Sequence, residues 1–410
     1  MPPQQAAAVT DGGEHDLDKA QKPRLVGIFR RIADTYRAQN KLTPEQGKLL
    51  HDMERCRTAA LGGHLYACDH CGSEVPLYNS CGNRSCPNCQ MIEQARWIKA
   101  RTARILPVGH HHVVFTLPRQ LRTLSLRFPK QIYGLLLKTA GEVLLGLGLQ
   151  RHKARLGATL VLHTWDRKLL PHPHVHCVVT GGGLSLDGRS WVDFSKFLFA
   201  VNHLKAAFRA VLLAGLNRLR DSGGMPLDKD AIADARAWKR LFISLPKVNK
   251  WVVYTEAPFD RSTHVLQYLG RYTHRIGLSD QRLVSVCENS VTFRTKDGLT
   301  ETVTPMELLQ RFLRHVLPKG LNKIRHVGLY AAANVRGPLA QARALLGDGD
   351  RTPQEAELPP TEAVAPETWD ELVQELIGID PLACVACGLG RLVLIASVMA
   401  PRSRAPPEAV

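Results

Sequence analysis

The chain has 410 residues, with 54 Lys/Arg against 37 Asp/Glu and a formal charge of +17. That length supports two or three separate cores, and the cationic excess favours a polyanionic partner, above all nucleic acid. No run approaches the roughly 20 apolar residues of a membrane span, and residues 1–18 lack an apolar signal core. A cytoplasmic location is therefore expected, in which the ten cysteines serve as metal ligands or buried thiols rather than disulfides.

Residues 1–21 have the composition of a disordered arm. A helical pattern follows through Leu25, Ile28, Phe29, Ile32 and Tyr36, and a second helix over 43–57 starts at Thr43-Pro44. Cys68-Asp-His-Cys71 and Cys86-Pro-Asn-Cys89 come next, two knuckles with fourteen residues between them. That spacing places Cys68, Cys71, Cys86 and Cys89 around one structural zinc, with Cys81 and His70 as substitutes for a knuckle cysteine. A basic helix spans 91–106, and a buried strand at 113–115 follows three histidines, His110 to His112. Residues 119–150 are helical in pattern, and 157–165 is an uninterrupted strand.

The strand at 169–180 reads Leu-Leu-Pro-His-Pro-His-Val-His-Cys-Val-Val-Thr. Its period of two turns His172, His174 and His176 to one face, where neutral imidazoles can share a divalent ion. Glycines 181–183 suggest a turn, 194–219 an amphipathic helix, 238–243 a short element and 250–254 a strand. A helix over 263–272 stacks Tyr268 and Tyr272 on one face, with Arg271 beside them. Residues 283–304 form a strand pair around Asp297-Gly298, and 306–317 a helix. Residues 347–367 read as an acidic linker, after which Cys384-Val-Ala-Cys387 stands as half a zinc site.

Charge is concentrated. Residues 95–160 hold twelve Lys/Arg and one acid, Glu142, and residues 311–347 hold seven and none. Arg96, Arg101, Arg104, Lys323, Arg325 and His326 are candidates for contacting DNA. The fold class is α+β, divided as 1–21 arm, 22–100 helical lead-in and zinc-binding domain, 101–280 catalytic domain, 281–347 basic DNA-binding region, 348–370 linker and 371–410 tail.

His174-Val-His176, followed by Tyr268-Leu-Gly-Arg-Tyr-Thr-His-Arg275, resembles the HUH endonucleases. More closely it resembles the two-tyrosine, rolling-circle transposases of the insertion sequence 91 family. The knuckle region 79–90, the strand 112–118 and Lys323-Ile-Arg-His-Val-Gly328 agree with it in order, over residues 45–347. Ser85 departs from the family pattern, which often has histidine there. The resemblance implies an HUH domain with a central antiparallel sheet packed by helices. It further implies Mg²⁺ or Mn²⁺ held by His174, His176 and a third ligand (His172, Gln267 or His163), and a 5′-phosphotyrosine link to single-stranded DNA through Tyr268 or Tyr272. A homo-oligomer is compatible with it. Competing readings are a plasmid replication initiator or relaxase, a non-catalytic zinc-ribbon DNA-binding protein, and a hydrolytic metalloenzyme.

Overall fold

The computed structural model describes residues 24–89, 91–102, 104–225, 234–247, 250–259, 277–296, 298–347, 368, 370–371, 373–374 and 380–400. The arm 1–21, the helix expected at 263–272 with Gln267, Tyr268, Arg271 and Tyr272, and most of the linker lie outside the described residues.

The chain opens with α1 (Leu25–Gln39) and α2 (Pro44–Arg55). Thr43 caps α2: its hydroxyl accepts from the Gln46 backbone, the Gln46 amide reaches back to the Thr43 N–H, and Pro44 starts the first turn. The hairpin β1 (Gly63–Cys68) and β2 (Glu74–Tyr78) follows, then α3 (Met91–Thr102) and β3 (His110–Thr116). Residues 119–150 divide at Phe128-Pro129 into α4 (Arg122–Arg127) and α5 (Pro129–Leu147). Next come β4 (Ala154–Arg155), β5 (Gly157–Trp165), β6 (Pro171–Thr180), β7 (Gly182–Ser185) and β8 (Trp191–Asp193).

Gly182 belongs to β7, which pairs with β8, instead of the expected turn, and glycine is required there because a side chain would strike the Trp191 ring. The helix α6 covers Val201–Asp221 and not Phe194, which lies in the preceding loop and packs into the core with Leu198 and Phe199. Then come α7 (Ala235–Ser244), β9 (Val253–Phe259), β10 (Leu283–Val286), β11 (Val291–Arg294), β12 (Thr300–Val303), α8 (Pro305–Leu313), β13 (Ile324–Gly328), α9 (Pro338–Leu345) and β14 (Leu392–Val398).

The central sheet runs β13-β5-β6-β3-β9 and every pair is antiparallel. Alternation gives it two different faces. Val113, Phe115, Leu160, Leu162, Val175, Cys177 and Val179 point into the main core beneath α5 and α6. Each fully buried leucine of α5, such as Leu136, Leu137 and Leu144, contributes about 1.5–3 kcal/mol. The intervening residues, His112, His163, His174 and His176 among them, share the opposite face.

The α5 region, Pro129–His152, is long and apolar enough to cross a membrane, the mean hydropathy of an 18-residue window within it reaching 1.4, although no such run was expected. It is the core helix of the sheet, with Leu136, Ala140 and Leu144 fully buried against it.

A second core joins α1 and α2 to the β10-β11-β12 sheet and α8, with Phe29 and Phe312 rings 5.0 Å apart. Residues that the sequence divides between 22–100 and 281–347 therefore share one interior. The strand β13, expected in a separate DNA-binding region, is the edge of the central sheet.

Two buried histidines brace this arrangement. The Tyr330 hydroxyl lies 2.7 Å from His110 Nε2, and His315 Nε2–H donates to the Leu169 carbonyl at 3.0 Å. Burial pushes both imidazoles down to about 4. Above the unfolded value near 6.5 both states are neutral and this contribution is complete. As pH falls from there towards 4, the unfolded chain takes up protons that the folded one refuses. Each histidine then costs about 1.4 kcal/mol of stability per pH unit. Thermal unfolding followed across pH 7.5 to 4 should show Tm dropping below pH 6.5, and a flat profile would contradict this.

Candidate active site and zinc centres

Two sets of four cysteines form, with a membership different from the one expected. Cys86 and Cys89 meet Cys56 and Cys81, whereas Cys68 and Cys71 meet Cys384 and Cys387. The expected single set of Cys68, Cys71, Cys86 and Cys89 is not assembled, because β1 and β2 carry the first knuckle away from the second. Cys384/Cys387 is half of a four-cysteine set, as expected, and its other half is Cys68/Cys71 of the same chain.

Sulfur separations fit zinc. Cys81–Cys89 is 3.6 Å and Cys56–Cys86 is 3.7 Å. A tetrahedron with zinc–sulfur bonds of ~2.3 Å has edges of about 3.8 Å, and a disulfide is about 2.05 Å. The Cys56 set supports structural zinc, being closed by four protein ligands and sunk in the second core. Cys56 was missed in the sequence because it stands alone at the C-terminal end of α2, without a paired cysteine. His70 Nδ1 and Nε2 belong to neither set.

On the polar face of the sheet, the register His163↔His174 brings β5 and β6 histidines side by side. His163, His174 and His176 each offer a ring nitrogen within 4.8 Å of the others. Their ring centroids are 4.4 Å (163–176), 4.8 Å (174–176) and 5.2 Å (163–174) apart. His172 does not join this set, and its Nδ1 accepts from the Arg122 guanidinium at 2.9 Å.

The other ring positions are fixed by hydrogen bonds. His174 Nδ1–H donates to the His172 carbonyl at 2.6 Å. Glu256 accepts from His112 Nδ1–H at 2.8 Å, so His112 Nε2 accepts from His176 Nδ1–H at 2.9 Å. Both bonds select the tautomer in which Nε2 carries the lone pair, the form that ligates a metal. Burial lowers His174 to about 4 and His176 to about 2, so both rings are neutral at pH 7. Neither Glu256 nor His112 was singled out as part of this site; the three histidines of β3 were the only signal.

The candidate DNA contacts divide. Arg101, Arg104 and His326 line one hollow with Trp97, Thr159 and Val178, on the same side of the sheet as the histidine set. His326 Nδ1 lies 3.0 Å from the Thr159 hydroxyl. Arg325 is paired with Leu160 and its guanidinium lies near Gly134 of α5, on the other side. Arg96 is exposed and bonds Glu93, and burial beside Arg84 lowers Lys323 to about 8.

Comparison with known proteins supports a transposase with a zinc-binding domain. A family model described as "Transposase zinc-binding domain" matches residues 28–117, and one described as "Putative transposase" matches residues 157–337. A Sinorhizobium fredii protein named "Putative transposase y4qJ" is 38% identical over 385 residues, 91% of this chain and 95% of that one. The "Transposase for insertion sequence element IS801" of Pseudomonas savastanoi pv. phaseolicola is 27% identical, over 84% of this chain and 82% of its own length. No solved structure matches. The chain belongs to the insertion sequence 91 family of transposases.

Proposed function

We propose that this transposase cuts and rejoins single-stranded DNA at the ends of its element by tyrosine-linked, rolling-circle strand transfer. The observation that carries the reading is the set His163, His174 and His176 on the polar face of the sheet, with the tautomers of His174 and His176 fixed for ligation. His163 supplies the third imidazole in place of His172 or Gln267. A divalent cation such as Mg²⁺ or Mn²⁺ held there would polarise the scissile phosphate and neutralise its developing charge.

Tyr268 or Tyr272 is the nucleophile, assisted by Arg271. The phenol oxygen attacks phosphorus, the 3′-oxygen leaves with a proton, and a 5′-phosphotyrosine forms, so no phosphodiester energy is lost. The second tyrosine takes the second strand. A described residue just after the tyrosine segment supports this: Gly277 lies against the Trp165 indole, beside His163. Arg101, Arg104 and His326 would hold the DNA backbone next to the reacting phosphate, and the strand would lie across Trp97.

Glu256 and His112 act through His176. Glu256→Gln or His112→Ala should weaken divalent-metal binding about 10- to 100-fold, as losing a partner behind a metal-binding histidine does. Isothermal titration with Mn²⁺ checks this, and unchanged affinity in both variants would remove the relay. The function itself is tested by incubating purified protein with single-stranded oligonucleotides from the element ends, with and without Mn²⁺. A metal-dependent covalent band on a denaturing gel supports strand transfer. Tight binding with no covalent band favours a DNA-binding role without catalysis.

A further inference from the structure

We propose a second zinc centre that joins the two ends of the chain, with Cys68 and Cys71 as ligands from the N-terminal hairpin and Cys384 and Cys387 from the tail. The tail cysteines lie outside both stretches matched by the family models, residues 28–117 and 157–337. Cross-knuckle sulfur separations are 3.7 Å for Cys68–Cys387 and 3.8 Å for Cys71–Cys384. These are the edges of a zinc tetrahedron and are far too long for disulfides.

The two knuckles are built alike. In each, a glycine follows the second cysteine and its N–H donates to the carbonyl of the first, Gly72 to Cys68 at 3.0 Å and Gly388 to Cys384 at 2.9 Å. Gly72 has φ +71° and Gly388 +67°, a left-handed turn that a side chain would strain. Backbone N–H groups point at sulfur: His70 and Cys71 at Cys68 Sγ, and Gly390 at Cys387 Sγ, each 3.4 Å. Such donors favour the thiolate, the form zinc takes. Asp69 ties the knuckles together by accepting from the Arg391 N–H at 2.8 Å.

The surrounding sheet explains why a metal is needed. The strand β14 pairs antiparallel with β1 from Leu392 to Val398, interrupted by a bulge at Ile395, in the order β14-β1-β2. This is three short strands over very little core: Cys68, Cys384 and Leu392 are its buried residues, and Val393, Leu394 and Ile395 stay about half exposed. A sheet of that size has little apolar burial to hold it, and zinc supplies the missing stability. The centre therefore clamps the tail onto the zinc-binding domain.

The test is metal content of the full-length chain carrying His174→Ala/His176→Ala, which removes the histidine set as a competing zinc or cobalt site, with zinc measured per protein and repeated after replacement by Co²⁺. Two ions per chain are expected in this background. Adding Cys384→Ser/Cys387→Ser or Cys68→Ser/Cys71→Ser should leave one ion and half of the cobalt–thiolate charge-transfer intensity. One ion in the background protein, or two after either added pair of substitutions, would overturn the proposal. A circular dichroism spectrum with wild-type helix content in both variants separates loss of the centre from general unfolding, because the centre lies apart from both helical cores. This readout does not depend on the catalytic reading.

Discussion

Replacing His176 or His163 with alanine is expected to lower metal-dependent strand cleavage by at least about 1,000-fold, whereas His172→Ala should leave it within about threefold. The first figure follows from the several kcal/mol that a bound cation contributes to a phosphoryl transition state. Both His163 and His176 belong to the three-ring set, and neither ring carries the main core, which lies across the sheet. His172 sits two residues from His174 on the same strand face but bonds Arg122. A reading based on alternation alone would rank His172 with the others; register excludes it. Cleavage rates of the three variants under single-turnover conditions decide between them. Equal losses for His172→Ala and His163→Ala would contradict the assignment of the third ligand.

The second large effect concerns the Cys56 set. Cys86→Ser, or prolonged chelation of the wild type, should abolish the cooperative unfolding of the core formed by α1, α2 and α8. Zinc binding by four thiolates is worth about 10–16 kcal/mol, comparable to or larger than the whole stability of a domain. Cys56 and Cys86 are buried in that core, which also contains Phe29, Phe293 and Phe312. Removing zinc leaves four crowded sulfurs with nothing to neutralise them. Cys287→Ser is the control, since Cys287 is exposed and belongs to neither set. It should change stability by less than about 0.5 kcal/mol. Calorimetry of the two variants checks the contrast; similar melting of both would contradict a structural role for this zinc.

What could be read from sequence was local chemistry, and what escaped it was register and long-range pairing. The alternation of His172, His174 and His176 gave one face, and the structure keeps that face. It could not say that His163 stands opposite His174, because only the pairing of β5 with β6 fixes that neighbour. The knuckle spacings marked zinc ligands correctly as a class. They misassigned the sets because Cys68 finds its partners more than three hundred residues away, and because Cys56 carries no spacing signal at the end of its helix. The cap at Thr43 and the turn at Gly298 between β11 and β12 are local and were legible, although 283–304 holds three strands and not the expected pair. The extent of α6 was not: the apolar Phe194, Leu198 and Phe199 continue the pattern of the helix while packing from a loop.

The most direct test of strand transfer is the identity of the residue that carries the DNA. The adduct formed with a single-stranded element end in Mn²⁺ is digested with protease and nuclease and mapped by tandem mass spectrometry. The expected result is a nucleotide 5′-phosphate on Tyr268 or Tyr272, absent from the His163→Ala protein. A phosphate on Tyr254, which is exposed and bonds Glu256 on the same face of the sheet, would contradict the tyrosine assignment. Cleavage with no covalent peptide at all would make the enzyme a hydrolase and contradict the mechanism.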